Sequence, residues 1–173
     1  YNVAVGSNSL DALTTGSKNV AIGKGALGAA GAAEDGNIAI GYHAMDGADE
    51  GTSGQIDNNI AIGRGALTGG DFNTSSTTFI ENIAIGTSAL NSTGTNAQTG
   101  TIAIGAESLT DLTSGGQNVA IGYQTGWDIT TGASNTLLGY GAGKWMAEGS
   151  GNVALGAYAG WKLGHADSDT NVL

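Results

Sequence analysis

The chain has 173 residues, of which 32 are glycine and none is proline or cysteine, and its formal net charge is -10. So much glycine argues against an ordinary helical bundle. The missing proline and irregular glycine spacing exclude collagen, and 40% hydrophobic against 12% charged residues disfavours disorder. The acidic balance argues against a nucleic-acid partner, the lack of cysteine removes disulfide and thiolate sites, and no apolar run is long enough for membrane insertion.

A self-similar unit accounts for the whole chain, which reads as a single repeat domain over 1–173. The unit opens with Asn, an apolar residue, Ala, an apolar residue and Gly. In chain order it is NVAVG from Asn2, NVAIG from Asn19, NIAIG from Asn37, Asn59 and Asn82, TIAIG from Thr101, NVAIG from Asn118, NTLLG from Asn135 and NVALG from Asn152. A tenth begins at Asn171. Successive starts lie 17, 18, 22, 23, 19, 17, 17, 17 and 19 residues apart, so a base unit of 17 carries insertions at 46 to 58 and 68 to 81.

The pentapeptide alternates as a strand does, with β-branched residues such as Val20 and Ile22 on one face and Ala and Gly on the other. Most units continue, after two variable residues, with Ala or Ser and then Leu or Met, as at Ala26-Leu27, Ala44-Met45 and Ser108-Leu109. This is a second short apolar segment per coil. The rest is Thr, Ser, Gly, Asp and Asn, which are turn formers. A unit of this size with no amphipathic helix cannot bury its apolar face alone and must stack on copies of itself. The expected fold is all-β, a parallel β-solenoid or β-roll of about nine repeats of 17–23 residues, making a rod ~43 Å long at ~4.8 Å per coil. The repeat runs to both ends without a polar capping unit, which suggests a segment of a longer fibre. The Ala/Gly face is too small for a thick interior and is the expected contact between copies of the chain.

The NVAIG core resembles the head repeat of trimeric autotransporter adhesins, the YadA-like head, and is similar to the NTAIGYQAL repeats of phage and other viral tail-fibre proteins. NVAIGYQTG at 118 to 126 is nearest to the fibre form, and the 17-residue spacing agrees better with that variant. The resemblance implies a left-handed β-roll in which three chains form a homotrimer about a common axis. It implies an extracellular attachment or stalk segment, on a virion tail fibre or a bacterial cell surface, whose partner is a host-surface glycan or protein receptor. Units seven to nine depart from the pattern. There the Leu position becomes Gly126, Gly143 and Gly160, followed by Trp127, Lys144-Trp145 and Trp161, so the C-terminal third is expected to pack differently.

Several matches to catalytic patterns are explained by the repeat. GKGALG at 23 to 28 fits a dinucleotide fingerprint, but no amphipathic helix follows and equivalent segments lose the pattern. The segment 139 to 144 imitates a phosphate loop with the wrong spacing. His43 and His165 read as solvent-facing, no nucleophile elbow occurs, and no enzymatic activity or cofactor is expected. The acidic stretch from Asp46 to Asp57, with Asp49 and Glu50, lacks calcium-loop spacing and reads as a solvated insertion loop, and the sequons at Asn73 and Asn91 matter only where a eukaryotic cell makes the chain, which is not expected. An ice-binding face would need regular Thr columns, which Thr14, Thr113 and Thr130 do not supply.

Stacking makes columns of the variable pair that follows each Gly. The first column reads Ser7, Lys24, Tyr42, Arg64, Thr87, Ala106, Tyr123, Tyr140 and Ala157. Tyrosines and cations on such a column suit stacking on sugar rings or contact with a receptor. The candidate receptor-contact surface is therefore Lys24, Tyr42, Arg64, Tyr123 and Tyr140, joined by Trp127, Trp145 and Trp161.

Overall fold

A computed structural model describes residues 1–29, 34–47, 55–69, 78–92, 97–161 and 172. Asp49, Glu50, the sequon at 73 to 75, Thr93 of the second sequon, His165, Asn171 and most of the two insertions lie outside the described residues. The described strands, in chain order, are β1 (Val3–Val5), β2 (Val20–Ile22), β3 (Ile38–Ile40), β4 (Gln55–Asp57), β5 (Ile60–Ile62) and β6 (Thr78–Ile80). They continue with β7 (Ile83–Ile85), β8 (Gln98–Thr99), β9 (Ile102–Ile104), β10 (Val119–Ile121), β11 (Thr136–Leu138) and β12 (Val153–Leu155). No helix occurs among the described residues.

The chain is a parallel β-solenoid. One sheet takes a strand from the pentapeptide of each coil in the order β1-β2-β3-β5-β7-β9-β10-β11-β12. Equivalent motif positions always pair: Ala21 lies opposite Ala39, Ala39 opposite Ala61 and Ala61 opposite Ala84, whatever the length of chain between them. Each insertion contributes a strand, β4 and β6, and with β8 of the following coil these form a second parallel sheet just ahead of Asn59, Asn82 and Thr101. That sheet carries Ile56 and Phe79 into the core.

The two faces of the main sheet lie opposite to the sequence expectation. The alanines, from Ala21 through Ala154, are completely buried inside the coil and do not form a surface for another chain. They pack with Leu27, Met45, Leu67, Leu90 and Leu109 from the second apolar segment. The Val and Ile residues point outward instead, and several are well exposed: Ile22 at 39%, Ile62 at 36% and Ile121 at 36%. A coil of 17 residues encloses a space about one large side chain deep, so Ala against Leu fills it and β-branched residues on both sides would overpack it.

The second apolar segment is a turn. Its Leu or Met sits in the left-handed region, as at Leu67 (φ 52) and Leu90 (φ 51), and its N–H donates to the next coil, Leu67 N to Ala89 O at 2.9 Å. The left-handed conformation costs a non-Gly residue ~1–2 kcal/mol, while burying a Leu returns ~1.5–3 kcal/mol, so the apolar residue is tolerated there. Gly126 (φ 61) and Gly143 (φ 61) take the same conformation without strain, and the lost volume is supplied from elsewhere. Leu137 replaces the strand alanine in β11, and a Cβ on Gly143 would lie 2.9 Å from its Cδ1. This is how the C-terminal coils pack differently.

From Asn19 to Asn152, the Asn that opens a unit is buried and links coil to coil. Asn59 Oδ1 accepts from Asn82 N and Asn82 Nδ2, both at 3.0 Å, and Asn59 Nδ2 donates to Phe79 O at 2.7 Å. The same pattern joins Asn19 to Asn37, Asn37 to Asn59, Asn118 to Asn135 and Asn135 to Asn152.

Candidate functional site

The strand-ending Gly turns the chain sharply and leaves the next two residues on the outside of the solenoid. The second of these lies in the left-handed region, and its N–H donates to the carbonyl of the first residue of the neighbouring pair. Examples are His43 N to Lys24 O at 2.9 Å, Gly141 N to Tyr123 O at 2.9 Å and Tyr158 N to Tyr140 O at 2.8 Å. These rungs hold the variable pairs one above another, so the columns read from the sequence are columns in space.

The candidate surface divides into two groups. Toward the N-terminal end, the Lys24 ammonium lies 5.8 Å from the centre of the Tyr42 ring. Tyr42 meets His43 edge-on at 4.1 Å, and His43 Nδ1 contacts Asp46 Oδ2. Arg64 is exposed in the following coil and makes no ring or ion contact among the described residues. Thr87 and Ala106 then interrupt the column, so this group is not joined to the aromatic residues beyond them.

Toward the C-terminal end the rings touch in a continuous strip. Tyr123 stacks on Tyr140 at 5.4 Å, Tyr140 meets Tyr158 edge-on at 5.1 Å, Tyr158 meets Trp161 at 5.6 Å and Trp161 meets Trp145 at 4.8 Å. All five rings are exposed, from 38% at the tryptophans to 48% at Tyr140 and Tyr158. An open hollow of about 360 Å³ lies against Tyr158 and Trp161. Trp127 is half-buried and joins through Lys144, whose ammonium is 5.2 Å from the Trp127 ring and 5.4 Å from the Trp145 ring.

A polar rail runs beside the strip. Lys144 Nζ donates to Gln124 Oε1 at 2.6 Å, and Gln124 Nε2 donates to Glu107 Oε2 at 2.7 Å. Asp111 and Asp128 stand one coil apart next to it. Burial, followed by the nearby Asp128 charge, pushes the Asp111 carboxyl above its ordinary value. The hydrogen bond to Tyr140, aided by burial, raises the Tyr158 phenol. No group of three or more His, Asp or Glu among the described residues is arranged to hold a metal.

The C-terminal strip therefore brings together Tyr123, Tyr140, Trp145 and Trp161 of the candidate residues directly, and Trp127 through Lys144. Lys24 and Tyr42 form a separate pair, and Arg64 joins neither group. Tyr158, Lys144 and Gln124 were not among the candidates. Tyr158 occupies the second member of the variable pair, so a search of the first column passes over it. Lys144 was signalled by spacing, since Thr110, Trp127, Lys144 and Trp161 recur every 17 residues and share one column.

Comparison with known proteins finds no family model, no curated protein and no solved structure that matches the chain. The functional reading therefore stands on the geometry and on the repeat.

Proposed function

We propose that the chain is a structural and adhesive fibre segment that works outside the cell as a homotrimer, giving reach and attachment to a host surface. The observation that carries this is the outward face of the main sheet. Its strands present a column of Val, Ile and Leu to solvent, with Val5, Ile22, Ile62, Ile121, Leu138 and Leu155 exposed, beside a half-buried column that includes Val20, Ile60 and Val119. An apolar stripe running the length of a solenoid is the mark of an association surface, and a rod that pairs along its length suits a fibre. In this reading the copies meet through these columns, since the alanines of the other face are buried within the coil. A viral or phage tail fibre is favoured over a bacterial adhesin head because the base coil is 17 residues.

The test is the mass of the purified segment by light scattering, one chain being 16.9 kDa. A value three times that is expected. A folded monomer overturns the reading.

A further inference from the structure

We propose that the C-terminal aromatic strip binds a neutral glycan, laid along the rod with its sugar rings on Tyr123, Tyr140 and Tyr158 and flanked by Trp145 and Trp161. The proposal rests on the reading of the chain as an extracellular attachment segment and names the chemistry of its receptor.

Three observations carry it. The rings are exposed yet already in contact with one another, near-parallel between Tyr123 and Tyr140 and edge-on at Tyr158, so they form a ridged aromatic platform that a ligand need not assemble. A molecule suited to such a platform has a flat C–H face and repeats at about the coil spacing, as a chain of pyranoses does. Beside the platform runs a rail of hydrogen-bonding groups, Glu107, Gln124 and Lys144, fixed by bonds of 2.7 and 2.6 Å. Glu107 and Lys144 retain acceptor and donor capacity beyond those bonds. A purely apolar partner has no use for the rail, whereas the hydroxyls of a sugar do.

Charge decides which sugars. The rail and its flank carry Glu107, Asp111 and Asp128 against Lys144, and the whole chain is at -10. Asp111 is already held above its ordinary value in part by Asp128, so a further negative charge there is opposed. Acidic polysaccharides and phosphorylated glycans are therefore disfavoured, and uncharged hexose polymers fit.

The chain's three tryptophans all belong to this surface, so tryptophan fluorescence reports on it alone. The segment is titrated to millimolar concentration with cellohexaose, maltohexaose and mannohexaose, with polygalacturonate as the acidic comparison. A saturable change with at least one neutral hexasaccharide is expected, weakened about tenfold or more by Trp145→Ala and retained by Trp145→Phe. Circular dichroism and mass are checked for each variant, and Tyr123→Ala serves in place of Trp145→Ala if that variant does not fold. No response to any neutral oligosaccharide overturns the proposal, as does a response to polygalacturonate alone. A fall in mass on Trp145→Ala also overturns it, since the strip would then join copies of the chain. A monomer that still binds sugar overturns the fibre reading alone, and a trimer that does not bind sugar overturns this proposal alone.

Discussion

At the scale of single residues, the buried Asn column is the main side-chain hydrogen-bonded link between coils, and Thr101 is its break. Thr101 N still donates to Asn82 Oδ1 at 3.0 Å, but a hydroxyl cannot continue the chain of amides. Asn118 Nδ2 turns back to Gly115 O at 2.7 Å, the carbonyl that the pattern reserves for the amide of the coil before. Thr101 Oγ1 is buried with no hydrogen-bond partner. Thr101→Asn restores one acceptor for Asn118 and one donor for Gly115 O, and is expected to stabilise the fold by about 1 kcal/mol. The check is a denaturant or thermal midpoint, and a lower midpoint refutes the account. Gln98 is the companion defect. It stands three residues before Thr101, as Ile56 and Phe79 stand before Asn59 and Asn82, and its buried amide also has no partner. The role of Asn was not legible in the sequence, where Asn reads as a turn former, because its partners are backbone groups one coil away.

Asp111 gives a second prediction at this scale. Its folded carboxyl is raised by burial and by Asp128, so the folded state holds a proton more tightly than the unfolded chain does. Between the ordinary carboxyl range and the raised value, this group's contribution therefore falls as pH rises and is unfavourable once the group is ionised. Asp111→Asn is expected to raise the thermal midpoint at neutral pH and to leave it unchanged near pH ~3, below both values. An equal shift at both pH values would show that the effect is not titration.

At the scale of the element, the strand and the Gly that ends it are one device. Gly63 has φ 137, outside the range of side-chain-bearing residues, and a Cβ there would lie 2.5 Å from Gly86 O of the next coil. Gly63→Ala must therefore strain the backbone and also push neighbouring coils apart. It is expected to abolish cooperative folding, or to cost more than the ~1 kcal/mol of a simple Gly-to-Ala change at positive φ, read from the loss of a circular-dichroism transition.

The strands and their register were legible from the five-residue alternation, but which face turns inward was not. Alternation separates two sets of residues without saying which is covered, and the usual habit places the larger set inside. In a coil this narrow the volume of Leu67 or Leu90 opposite the strand reverses that habit. The left-handed turn was visible only indirectly, in a position that alternates between Leu or Met and Gly. The aromatic strip was half legible, because the 17-residue period identifies column mates but not contacts across columns such as Tyr158 with Trp161. The insertions hid β4 and β6, since three-residue strands within polar sequence leave no periodic trace.

At the scale of the whole molecule, the outward Val and Ile columns should hold copies of the chain together without being needed for a single coil to close. Ile62 and Ile121 are each 36% exposed and lie two coils or more from either end of the main sheet. Replacing both by Lys is expected to lower the mass in solution to that of one chain while the β-type circular dichroism persists. Loss of both signals together would place these residues in the fold itself and not in an interface.

The constant pairing of motif positions has a mechanical consequence. Ile38 pairs with Ile60 across 22 residues and Val3 with Val20 across 17, yet each step advances the axis by the same ~4.8 Å. The reach of such a molecule is thus counted in pentapeptides and not in amino acids. Chain length between pentapeptides does not enter the strand register, so it can change without altering how far the molecule extends.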